Sequence, residues 1–180
     1  MTEMRTLPVD EALRWITAWT EHPWPITRET AFAIRDHFGW RPHPQNGRLF
    51  ATHLSETGRE DGLINCFDDA ESGDTVSEVK LPLTSIVFKG QEDENTAPVT
   101  QAAFNTYVQA VTNRYGKGRH KNSGTGWQLV KWTLPNRVTL SLSTQPGIIS
   151  ATIDSPRVTE IAETEEYFIE KYGEDEYFKD

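Results

Sequence analysis

The run Arg137-Val138-Thr139-Leu140-Ser141-Leu142-Ser143 decides the fold. Its strict alternation is the pattern of a strand whose Val138, Leu140 and Leu142 turn inward while Arg137, Thr139, Ser141 and Ser143 turn to water. Before it, Trp127 to Leu134 reads as a strand with apolar residues on both sides, and Pro135-Asn136 supplies turn chemistry between the two runs. After it, Gln145-Pro146-Gly147 is a second turn, and Ile149, Ala151 and Ile153 again share one face. These residues predict an antiparallel three-strand meander. A meander with one apolar face is unstable alone in water and needs helices to cover it.

The helices are found on either side. Pro8 to Thr20 has proline in its first turn, Asp10 and Glu11 at the positive end of the helix dipole, and a stripe of Val9, Ala12, Leu13, Ile16 and Trp19. His22-Pro23-Trp24-Pro25 breaks it. Thr27 is the expected cap of a second helix that runs to Phe38, with Ile26 placed to staple Ala31 and Gly39 fitted to the left-handed closing position. Arg41 to Gly47 reads as a polar connection. Leu49–Leu54, Leu63–Phe67 and Val76–Leu81 read as strands, with a possible short one at Ser85–Phe88. A third helix spans Pro98 to Tyr115, with Thr96 before it as a cap candidate and Gly116 closing it, and Lys117 to Gly124 follows as a basic loop. Ser155-Pro156 starts a last helix, which ends near Gly173 before the tail residues Glu174, Asp175, Glu176, Tyr177 and Phe178. The expectation is an α+β fold, one domain over 1–180, with an antiparallel sheet of five to six strands packed by helices. Its order is α-α-β-β-β-α-β-β-β-α, and residues 154–180 form an acidic helix and tail.

A chain of 180 residues is the size of one domain and buries roughly 70% of its unfolded surface. No apolar run reaches the ~18 residues of a membrane span, and the first ten residues lack the apolar stretch of a signal peptide. Cys66 is the single cysteine and has no partner for an internal disulfide, so a cytoplasmic protein is expected, with Cys66 a small core residue. The net charge of −9 is unevenly spread: residues 56–95 hold eleven acids and three bases, residues 96–153 no acids and six bases, and residues 154–180 ten acids and three bases. Two acidic blocks therefore flank a basic middle. Nucleic acid is disfavoured as a partner, because binding it requires a continuous basic surface. One reading makes the blocks solubilising surface that the basic middle answers within the fold; the sharper alternative is that at least one block faces a basic partner.

Chemical motifs are absent. His22, His37, His43, His53 and His120 show no metal-ligand spacing, and no Gly-x-Ser-x-Gly occurs. The glycines at 116, 118, 124 and 126 with Lys117, Arg119 and Lys121 suggest a phosphate cradle, but a cradle follows a strand and opens a helix, and here the order is helix, loop, strand. Asp68-Asp69 and Glu165-Glu166 are adjacent carboxylates that point apart on either a strand or a helix. No enzyme activity, metal or cofactor is expected. Of the six tryptophans, Trp15, Trp24, Trp40 and Trp132 are not all assignable to buried stripes by spacing, although core placement is the usual one.

The tryptophan-bearing first helix, Phe38-Gly39-Trp40, Arg114-Tyr115-Gly116, and Gly126-Trp127 through Trp132 into Val138–Leu142 resemble a family of small uncharacterised actinobacterial proteins. The likeness covers residues 8–153 and rests on structural tryptophans and glycines. It is similar in turn to the immunity proteins of polymorphic toxin systems, which bind and block a cognate toxin, and its element order resembles secretion-chaperone folds. The acidic end, 160–180, departs from that pattern. The resemblance implies a class of role and no residue-level site. With the absence of catalytic motifs and the segregated charge, it leads to a non-enzymatic binding protein, an immunity protein for a cognate, basic protein toxin, with a chaperone for a partner protein as the alternative and a small-ligand binder or enzyme behind both. The expected partner contacts are Asp68, Asp69, Glu71 and Asp74 in one loop and Glu92, Asp93 and Glu94 in another.

Overall fold

A strand presents backbone donors and acceptors along both edges, and the central meander pairs one outer edge with a strand from the first half of the chain. The computed structural model describes residues 3–71, 73–123 and 126–173; Gly124 of the basic loop and the acidic tail from Glu174 lie outside them. In chain order the elements are α1 (Val9–Thr20), α2 (Arg28–His37), β1 (Arg41–Pro42), β2 (Leu49–Ala51), β3 (Gly62–Cys66), β4 (Val76–Pro82), α3 (Thr96–Tyr115), β5 (Arg119–Asn122), β6 (Gln128–Thr133), β7 (Thr139–Gln145), β8 (Ile148–Asp154) and α4 (Pro156–Tyr172). Among the described residues the strands form one antiparallel sheet of eight, ordered β1-β2-β3-β4-β8-β7-β6-β5.

The α+β class stands, but the sheet is wider than the five to six strands expected. The two unexpected strands are its edges: β1 lies in the supposed polar connection and β5 in the supposed basic loop. Both are exposed at every residue, so burial imposes no apolar alternation on them and periodicity could not reveal them. The short strand expected at Ser85–Phe88 is an irregular continuation instead. There Ser85 N donates to Arg5 O (2.8 Å) and Val87 N to Gly147 O (2.8 Å), threading the segment between the N-terminal residues and the β7–β8 turn.

The inner face of the sheet carries Val79, Leu81, Val130, Trp132, Leu140, Leu142, Ile149, Ala151 and Ile153, all buried. α1 and α3 cover it with Trp15, Ile16, Trp19, Phe104, Tyr107 and Val111. Most of the tryptophans are core. Trp15 meets Trp40 edge-on at 5.0 Å, and Trp40 stacks on Phe50 at 4.9 Å, which joins α1 to the β2 side of the sheet. Gly62 faces that stack, where a side chain would overlap the Phe50 ring. The helix ends behave as read: Thr27 Oγ1 accepts from Thr30 N, and Ser155 Oγ from Val158 N. α3 differs slightly. It begins at Thr96 itself, and Asp93 Oδ1 accepts from the Thr96 amide in place of a cap from Thr96.

The outer face corrects one expectation. Thr139 and Ser141, read as wet, are buried, because α4 lies across this face and the Thr139 and Thr159 hydroxyls meet at 2.6 Å. Arg137 is not in the strand; it takes a left-handed conformation (φ 72°) in the Leu134–Arg137 turn.

Tyr107 fastens the layers together. Its hydroxyl donates to Leu7 O (2.7 Å) and lies 3.1 Å from Leu83 O, and burial pushes its pKa up to about 12. Tyr107→Phe removes the donor and leaves buried carbonyls without it, so urea denaturation is expected to show a loss of about 1–3 kcal/mol with the fold retained.

Candidate functional site

Two features of the polar face stand out: a cleft between the sheet and α4, and the part of α4 that extends past the sheet.

The cleft has a volume of about 410 Å³. Its position follows from how α4 is anchored. Ser155 N donates to Ser77 O on β4 (2.9 Å), Thr159 meets Thr139 on β7, and Arg137 in the β6–β7 turn pairs with Glu163. The helix thus starts over the middle of the sheet and heads toward its β5–β6 side, with the cleft beneath. One wall carries Lys117, Arg119 and Lys131, the α4 wall carries Ala162, Glu163 and Glu166, and Asp154 lines the cleft beside Thr139 and Thr159. Four of the six bases in the acid-free stretch 96–153 therefore line one cavity.

Asp154 stands directly opposite Glu78 in the β4–β8 ladder. Burial, and then the neighbouring Glu78 carboxylate, push its pKa up to about 6, against the pull of Lys131 and Lys80. The Glu78 charge thus adds to burial in disfavouring the ionised form of Asp154. Sequence reading missed the pair because its members are 76 residues apart and meet only through strand register.

α4 continues past this anchorage. Ile161, Phe168 and Tyr172 recur at helical spacing along one stripe, with Tyr167 beside it, and they are 44%, 36%, 49% and 54% exposed. Four of the six exposed large hydrophobic residues among the described residues thus sit on this helix. Phe168 stacks on Tyr172 at 5.9 Å; Glu160, Glu165 and Glu170 are exposed on the same helix with Lys171 near its end, while Glu163 and Glu166 turn to the cleft.

The expected contact residues fall into two separate places. Asp68, Asp69, Glu71 and Asp74 lie in the β3–β4 connection, next to the start of α4; Glu92, Asp93 and Glu94 precede α3, at the end of the sheet where β7 turns into β8. The length of β4 separates them, about 20 Å at strand rise. Arginines hold the first group: Arg48 faces Asp68 at 3.7 Å, Arg157 pairs with Asp69 at 3.0 Å and approaches Glu71 at 3.9 Å, and Arg28 pairs with Asp74 at 2.9 Å. In the second group Asp93 serves the start of α3, and Glu92 and Glu94 are exposed. The structure brings Glu71 together with Glu160 beside Arg137 and Arg157 and leaves the second group apart.

Among the described residues no group of three or more His, Cys, Asp or Glu is arranged to hold a metal ion, and no helix is long and apolar enough to cross a membrane. Cys66 is buried and free.

Residues 10–155 match the profile of DUF6301, a family of unknown function. The chain belongs to this family. No curated protein and no solved structure matches it. The family match takes in every element from α1 to β8, with the cleft's basic wall and Asp154, whereas α4 begins at Pro156 and lies beyond the matched residues.

Asp154 gives this site a measurable signature. A carboxyl whose folded pKa is raised from 3.8 to about 6 favours the folded state when protonated and opposes it when ionised. That penalty is absent below pH 3.8, grows as pH rises through about 6, and is constant above. Asp154→Asn is expected to raise the urea midpoint at pH 8 relative to the wild type and to lose that advantage near pH 4, with a carbon-detected NMR titration of the wild-type carboxyl centred near 6. A midpoint difference independent of pH would remove the carboxyl-pair reading.

Proposed function

We propose that this protein is a non-enzymatic binding protein, an immunity protein that holds and neutralises a cognate basic toxin in the cytoplasm. The outer part of α4 is the observation that carries the reading. Isolated apolar residues are ordinary on a surface, but a stripe of Ile161, Phe168 and Tyr172 with Tyr167 beside it, on a helix that the sheet only partly covers, leaves apolar area that a partner's groove would bury. The exposed glutamates Glu160, Glu165 and Glu170 of this helix, with Glu71 close to its start, set the partner's charge. They would repel nucleic acid, an anionic membrane surface and a second copy of the same helix, and would favour a groove rimmed by lysine and arginine. Of the acidic residues expected to meet a partner, Asp69 and Glu71 adjoin this helix through Arg157 and would extend the contact, while Glu92, Asp93 and Glu94 lie too far round the sheet to share it.

The test is a titration of the purified chain with the product of the gene beside its own. A complex that weakens about tenfold or more between low and high salt is expected, and truncating Tyr167, Phe168 and Tyr172 together to alanine should cost at least a further factor of about ten. Absence of a complex at low salt would remove the proposal, and binding only to the unfolded partner would favour the chaperone alternative.

A further inference from the structure

The bases of the acid-free stretch were expected to answer acids within the fold, and two of them do. Arg114 pairs with Glu21 at 2.6 Å and Arg137 with Glu163. Lys117, Arg119 and Lys131 do not: among the described residues none of them forms an ion pair, although the chain carries nine more acids than bases. All three stand on one wall of the cleft under α4.

The arrangement is unfavourable for the empty protein. Arg119 is directly opposite Lys131 in the β5–β6 ladder, and like charges at opposed positions destabilise a strand pair. Lys117, two residues before Arg119, lines the same cleft. Gly118 between them is needed for this geometry, because a side chain there would run into the Val130 and Trp132 side chains on the opposite face. The close approach holds the strand flat on β6 and keeps its two flanking cations over the cavity. Of the acids that line the cleft, Glu163 pairs with Arg137, and Asp154 is drawn toward Lys131 while burial and the Glu78 charge oppose its ionisation. Only Glu166, on the α4 side, remains to face a ligand.

We propose that the cleft is a binding site for a small organic anion, whose phosphate or carboxylate groups lie on the Lys117–Arg119–Lys131 wall and whose hydroxyl or amino groups face Glu166. A cavity of about 410 Å³ is of the size that small-molecule sites have. The charges would be held by three separately mounted cations, without the glycine-rich turn and helix N-terminus of a phosphate cradle, which the chain order here rules out. This inference is independent of what α4 binds on its exposed side.

Isothermal titration of the full chain at low ionic strength with inorganic pyrophosphate, and separately with citrate, tests it. Saturable binding of at least one is expected; preference for pyrophosphate assigns a phosphoester ligand, and preference for citrate a carboxylate. Arg119→Ala with Lys131→Ala should weaken binding about tenfold or more, while Lys121→Ala, on the same strand but outside the cleft, should leave it within about twofold. If the double variant does not fold by circular dichroism, Lys117→Gln carries the same comparison. Absence of saturable heat with both anions, or equal weakening by Lys121→Ala, would overturn the site.

Discussion

The pairing of β4 with β8 is the constraint on which the molecule depends. Among the described residues four strands come from the first half of the chain and four from the second, and this ladder is the only strand pairing that joins them. Five residue pairs form it, from Glu78 with Asp154 to Pro82 with Ser150. Toward the core it sets Val79 beside Ile153 and Leu81 beside Ala151, all buried. Because side chains alternate across a strand, that same register fixes what appears on the other face. A slip of one residue would turn the apolar set outward, so the inner face leaves the outer one no choice.

What the outer face receives is a carboxylate opposite a carboxylate, and this shapes the region around it. The last residue of β8 leads into Ser155, whose amide is held by Ser77 one residue along from Glu78. The start of α4 and the carboxyl pair are therefore fixed by one piece of backbone. Anchored there, the helix has too little sheet beneath it to bury its whole length, and this leaves both a cleft on its lower side and an apolar stripe on its outer side. The uneven charge along the sequence has a spatial counterpart: the acid-free stretch supplies the cleft wall, and the final acidic block supplies the helix above it.

The fold was legible wherever burial was one-sided or a helix end had its own chemistry. Val138, Leu140 and Leu142 located the central strand, and Thr27, Gly39, Gly116 and Ser155 located helix ends, because each records a local requirement. Strands at the sheet margins left no such trace. Arg119 to Asn122 carries four exposed polar residues in a row, which read as a loop although their backbone is fully paired on one side. The site was less legible for a different reason. Lys131 and Arg119, or Glu78 and Asp154, become neighbours only through register between distant strands, and no spacing along the chain encodes it. The expected acidic residues were visible as composition, yet arginines from other elements, Arg28, Arg48 and Arg157, already hold most of the first group.

The two margins of the sheet also limit how this protein can meet others. β1 is two residues long and ends in Pro42, which has no amide hydrogen to offer, and the outer strand β5 presents arginine, histidine and lysine in succession. Neither margin is a good template for an added strand from another chain. Annealing of a further strand onto the backbone is thereby discouraged at both ends.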